Sequence, residues 1–240
     1  PTTPDAEAEA AKNILSHLTR LAFRRAVNEE DLERPLAFYT KTRDNGDDFR
    51  SGIEAAIASI LVSPKFLLRV ESKATSKRQE SPKRELEPLT GYELASRLSF
   101  FLWSSIPDKL SLDTAEQNQL RNPVALRRNV EYMLADPRAD NLVTNFMAQW
   151  LYLRNLESFT PETRIFPDFD DNLRQAFRQE TEHHFREISR ENRSVLELID
   201  SDHTYLNERL AKHYGIPHVY GSHFRRVDLP EGSERGGLLR

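Results

Sequence analysis

With 240 residues, 38% of them hydrophobic and 30% charged, the chain is long enough to bury a core as one large domain or two small ones. Its 34 Lys and Arg against 38 Asp and Glu give a formal net charge of -4, without the basic excess that draws nucleic acid or an anionic membrane. Cysteine is absent, which excludes disulfides, thiolate metal sites, a cysteine nucleophile and the Cys-x-x-Cys-His attachment of c-type haem within these residues.

No apolar run reaches the roughly 20 residues of a membrane-spanning helix, and the opening residues lack the basic and apolar regions of a signal peptide. The chain starts without an initiator Met and closes on Arg235-Gly236-Gly237-Leu238-Leu239-Arg240, as expected of a piece cut from a longer polypeptide.

Residues 5 to 26 place Ala11, Ile14, Leu15, Leu18, Leu21 and Ala22 at helical spacing, with Arg20, Arg24 and Arg25 toward the end where cations suit the helix dipole. Asn28 is expected to cap a second helix through Tyr39, followed by a turn at Arg43 to Asp47. A third, over about Phe49 to Val62, is apolar around most of its circumference and should be the centre of a first bundle. Ser63-Pro64 restarts the chain, and residues 72 to 88 then give up apolar periodicity for charge, Ser and Pro, including Lys73, Lys77, Arg78, Lys83 and Arg84. This stretch reads as a solvated linker.

Thr90 and Glu93 make a capping box ahead of an apolar face of Leu94, Leu98, Phe101 and Leu102. Asn122-Pro123 and Asp136-Pro137 are each a capping residue followed by Pro at the first helical position. The first leads to Leu126, Val130, Met133 and Leu134; the second to Leu142, Val143, Phe146, Met147, Trp150 and Leu153, and both predict amphipathic core helices. A long helix is predicted from about Asp168 to Asn192, a second capping box at Ser194 and Glu197, and a helix opened by Asn207 and closed by Gly215. Residues 216 to 231 read as extended or looped, with Phe224, Val227 and Leu229 a weak strand pattern. The fold class is therefore all-α: about ten helices in a small N-terminal bundle plus a larger helical domain, with little or no sheet.

Within the long helix, Leu173, Phe177, Glu180, His184 and Ile188 step by three or four along one face. Burial of that face requires Glu180 and His184 to be hydrogen-bonded, for which an Arg or Trp of the 90 to 153 region is the expected partner. A sharper reading makes them a metal or acid/base pair. Glu180-x-x-His183 has the spacing of one half of a di-iron carboxylate site, but the second copy such a site needs is missing. Asp200-Ser-Asp-His203 reads as a turn whose side chains either satisfy local N–H groups or hold a divalent cation. The candidate polar cluster is thus Glu180, Glu182, His184, Asp200, Asp202 and Asn207, with Glu180, His183 and His203 as weak metal candidates. Ser104 and Ser105 offer a hydrolase nucleophile with no base placed beside it.

Leu21-Ala-Phe-Arg-Arg25, Ile60-Leu-Val-Ser-Pro-Lys-Phe-Leu-Leu-Arg-Val-Glu71, the run from Tyr92 to Asp108, Phe166-Pro-Asp-Phe-Asp170 and the run from Leu206 to Gly215 together resemble planctomycete-type domains of unknown function associated with c-type cytochrome modules. The resemblance implies a small helical domain over 1–71, the linker over 72–88, a larger helical domain over 89–216, and over 217–240 an extended segment opening into a further domain. It also implies an exported protein, periplasmic or at the cell surface, with c-type haem elsewhere in the full-length polypeptide and no cofactor within this piece. Its expected partners are other domains of the same polypeptide, redox partners or polysaccharide, with no nucleic acid and no membrane span. Glu180, Glu182, Asp200, Asp202 and Asn207 match the family pattern, whereas His183, His184 and His203 depart from it. The function so implied is a scaffold or partner-binding part of an oxidoreductase. The alternatives are a metal-dependent enzyme using acidic residues of the 180–203 region, or a purely structural interaction domain.

Overall fold

A computed structural model describes residues 3–69, 89–230 and 232–238. The linker expected at 72–88, with its Lys and Arg residues, lies outside the described residues. The chain divides into two compact units, Pro1–Phe100 with Ser105–Val130, and Phe101–Ser104 with Glu131–Arg240.

The first unit opens with α1 (Pro4–Phe23), α2 (Glu29–Asp44), α3 (Phe49–Leu61) and the single turn α4 (Pro64–Leu67). Each start is written in the sequence. Thr3, Asn28, Asp48 and Ser63 accept hydrogen bonds from the first free N–H groups of their helices, and Asn28 forms a reciprocal capping box with Asp31. Ala11, Leu15, Ala22, Phe23, Tyr39, Ala56 and Ile60 make the core. Gly52 is what lets α3 approach α2, because a Cβ there would stand 2.8 Å from the Tyr39 ring. The third helix does not bury its whole circumference: Gly52, Ala56, Ser59 and Ile60 face inward, while Leu61 and Val62 are exposed.

At the end of α1, Arg24 turns left-handed (φ 57°) and sends its guanidinium to the carbonyls of Ala22, Lys65, Phe66 and Leu68. One cation thereby satisfies carbonyls that α4 leaves open, as the C-terminal end of a helix requires. The same unit holds the start of α5 (Gly91–Trp103), α6 (Lys109–Glu116) and the start of α7 (Pro123–Ala135). The expected capping box is present, with Thr90 N–H on Glu93 and Glu93 N–H on Thr90 Oγ1. Arg20 binds Asp113 at 2.8 Å and Glu116 at 2.7 Å.

In the second unit the expected helix after Asp136 is broken. Pro137–Ala139 forms a 3-10 turn, Leu142–Met147 winds as a π-helix, α8 (Ala148–Trp150) is one short turn, and Tyr152 takes a left-handed φ of 57°. Asp136 accordingly caps only one turn, its carboxylate held by the N–H and guanidinium of Arg138. The i→i+5 winding also shifts the phase of the face. Leu142, Val143 and Met147 are buried, whereas Phe146 and Trp150, expected in the core, are exposed.

The long helix is α9 (Asp171–Arg190), capped by Asp170 through Leu173 N–H at 2.7 Å. It ends two residues before the expected Asn192, which takes φ 52° while Arg193 N–H closes on the Ile188 carbonyl. Beyond it, β1 (His203–Leu206) pairs antiparallel with β2 (Arg225–Asp228), His203 opposite Asp228 and Leu206 opposite Arg225. The Asp200 to His203 turn therefore leads into a strand that periodicity does not reveal, since four residues cannot display a period and its partner lies about twenty residues away. Between the strands runs α10 (Glu208–Tyr214), capped by Asn207 and stopped by Gly215 at φ 70°. Leu173, Ala176, Leu206, Leu210, Ala211 and Val219 form the core joining α9, β1 and α10.

The Gly236-Gly237 segment runs along residues 198–201. Leu238 N–H binds the Leu198 carbonyl at 2.6 Å, and Gly236 lies so near Ser201 that a Cβ would stand 2.6 Å from its carbonyl oxygen. The protein is thus mostly helical, with ten α-helical segments and one two-stranded sheet among the described residues. No described helix is long and apolar enough to cross a membrane.

Candidate functional site

The inward face of α9 carries three polar side chains in successive turns, and residues 197–214, which follow the helix, bring most of their partners. Glu180 accepts from Thr204 Oγ1 at 2.5 Å and from the Tyr214 hydroxyl at 2.7 Å. Burial pushes the Tyr214 hydroxyl well above its ordinary value, and the Glu180 carboxylate pushes it further. Arg235 lies 3.3 Å over the Tyr214 ring, a cation–π contact that ties the glycine segment to α10.

One turn on, His184 is 5% exposed and its Nε2–H donates to the Glu197 carbonyl at 2.9 Å. Its Nδ1 is buried with no hydrogen-bond partner among the described residues. Glu187 follows at 8% exposure, with Oε2 2.7 Å from His203 Nε2 and Oε1 2.7 Å from Arg193 and 3.5 Å from Arg226. Burial alone would raise the Glu187 carboxyl; the hydrogen bond and charge of His203, with Arg193, hold it below its ordinary value. His203, 1% exposed, turns Nδ1 toward Asp202 Oδ1 at 2.9 Å and Ser201 Oγ at 3.0 Å. Hydrogen bonding to His203 lowers Asp202 in turn.

The candidates from the sequence therefore divide. His184 and His203 come together with Glu187, and Asp202 joins through the far nitrogen of His203. Glu180 sits in the neighbouring turn, held by Thr204 and Tyr214, and the partners of Glu180 and His184 come from residues 197–214 and not from the 90–153 region. His183 stacks between Tyr205 and Phe224, where burial and then Arg186 lower its basicity. Glu182 pairs with Arg178 at 2.8 Å, and Asn207 is the cap of α10. Asp200 and Asp202 line a polar cleft of about 530 Å3 together with Arg193, Glu197, Ser201 and Arg235. Among the described residues, one group gathers three metal-ligating side chains within reach of each other: His184, Glu187 and His203. Glu180 and His183 are not in it.

Sequence reasoning missed Glu187, although it stands three residues after His184, the same spacing that singled out Glu180 and His183. Arg193 was missed as well, because only the fold brings it to the cluster, whereas Ser201 belongs to the Asp200 to His203 turn already singled out.

The second unit also presents a row of half-exposed rings. Phe101 meets Phe146 edge-on at 5.1 Å, and Phe146 stacks on Trp150 at 6.1 Å and 17°. Trp150 is 55% exposed and Tyr152 74%. The π-helical turn is what puts Phe146 and Trp150 outside.

Against known families, residues 89–216 match the model for PSD4, described as a protein of unknown function (DUF1592), and residues 10–71 match PSD5, a protein of unknown function (DUF1595). No curated protein and no solved structure matches the chain.

Proposed function

Taking as premise that the chain belongs to the PSD4 family of proteins of unknown function, we propose that it is a helical partner-binding module within a larger, exported, cytochrome-c-associated protein. On this reading it carries no haem of its own and docks the haem-bearing module of the same polypeptide. The observation that supports docking is the aromatic row Phe101, Phe146 and Trp150. Large rings left half in water lose little entropy on contact, and each gains about 1 kcal/mol when covered, roughly half the value of burying a fully exposed side chain. An aromatic row on a module of a redox protein suits the apolar rim around an exposed haem edge.

The test is a binding titration between this protein and the haem-bearing module, followed by calorimetry. Trp150→Ala and Phe146→Ala should each weaken binding by about tenfold or more, the loss expected of a central aromatic anchor. Absence of binding, or binding indifferent to both substitutions, overturns the docking role. A full-length gene encoding neither an export signal nor a Cys-x-x-Cys-His segment overturns the wider context.

A further inference from the structure

His184, Glu187 and His203 each offer one ligand atom, and these atoms lie within 4.8 Å of one another. We propose that the three residues hold a divalent transition-metal ion, with zinc the best match. The site does not depend on the docking role.

Two imidazoles and one carboxylate are a zinc-type donor set, and three protein ligands leave the fourth tetrahedral position for water or a bound substrate atom. Calcium and magnesium fit poorly, since they call for mostly oxygen ligands. The independent observation is the state of His184. Because its Nε2–H is committed to the Glu197 carbonyl, the proton is fixed on that nitrogen and Nδ1 is left with its lone pair, buried and without a partner among the described residues. A buried acceptor with nothing to accept is costly in an ordinary core, and a metal ion removes the cost.

His203 is prepared in the complementary way. Nδ1 is anchored by Asp202 and Ser201, the outer hydrogen bonding that orients a metal-bound histidine, while Nε2 faces Glu187 at 2.7 Å. Loading the ion displaces the proton shared between Nε2 and Oε2, which leaves to solvent, and both atoms then turn to the metal. Arg193 and Arg226 occupy Oε1 and leave Oε2 for the ion. Their positive charge weakens the pull on any cation held by charge alone, which again favours a metal bound through imidazole nitrogen.

The experiment is calorimetric titration of chelator-treated protein with zinc alone, with cobalt(II) as a spectroscopic substitute and the melting temperature as a second readout. One equivalent of zinc should bind and raise the melting temperature, and cobalt(II) should give tetrahedral d–d bands. His184→Ala should weaken zinc by roughly 100-fold or more, beyond the 10- to 100-fold typical of losing an outer partner. Glu187→Gln, close to the native side chain in shape, should do the same and serves as the variant if His184→Ala does not fold. Glu180→Gln, one turn away, should leave zinc binding unchanged. Failure to bind one equivalent, equal binding by Glu187→Gln, or an equal loss in Glu180→Gln each overturns the proposal.

Discussion

Trp103 donates its indole N–H to the main-chain carbonyl of Met133 across 2.8 Å, with both residues fully buried. Arg138 lies 3.5 Å over the ring and is itself held by Asp136. The indole thus satisfies an otherwise open carbonyl near the end of α7 and fixes where the following turn begins. Trp103→Phe keeps most of the apolar volume and removes the donor, so it should cost about 1–3 kcal/mol, the cost of a buried acceptor left unpaired. Trp103→Ala should cost about 3–5 kcal/mol by adding a cavity. Urea denaturation followed by circular dichroism checks both. A Trp103→Phe variant as stable as the parent would mean the Met133 carbonyl finds another donor.

Asp31 predicts how the first unit responds to acid. Burial would raise its carboxyl, but hydrogen bonds from Arg25 and Lys65 and from the Asn28 N–H bring it down to about 2 from an ordinary 3.8. A folded value below the unfolded one means the ionised carboxylate favours the fold above about pH 4, and that support is lost as pH falls toward 2. The difference corresponds to about 2 kcal/mol. Asp31→Asn should therefore lower stability at neutral pH and flatten its decline between about pH 4 and pH 2. Stability measured against pH for the two proteins decides it; parallel acid slopes would show that other carboxylates set the response.

Gly236→Ala tests the packing of the glycine segment. The added methyl would stand 2.6 Å from the Ser201 carbonyl oxygen, a backbone atom held in the turn before β1. Overpacking of this kind should cost about 1–3 kcal/mol. Trypsin should also cut after Arg235 faster once the segment lifts. An unchanged melting temperature with unchanged cleavage would contradict the close fit.

The sequence announces local structure well and long-range structure poorly, for a physical reason. A cap such as Asn28 with Asp31, or Thr90 with Glu93, is completed within four residues, so composition and spacing suffice to read it. Gly215 likewise ends its helix with a conformation glycine favours. The π-helical stretch at Leu142–Met147 has no comparable signature: its apolar residues suit an α-helix, and the core decides which of them turn inward. At the site, the face carrying Glu180 and His184 was legible from period alone. Glu187 carries no mark in the sequence, because its partner, His203, lies sixteen residues away on a strand that no pattern marks. His184 and His203 are the two histidines whose ring nitrogens lie within reach of the Glu187 carboxylate.

The pairing of β1 with β2 bears on where the chain can be divided. The PSD4 match stops at residue 216, but the strand opposite His203 begins at Arg225, and Gly236 braces the turn before it. The family match therefore ends before the sheet is complete. A boundary drawn by similarity at residue 216 would cut away half the sheet and leave His203 in a strand with an unpaired edge.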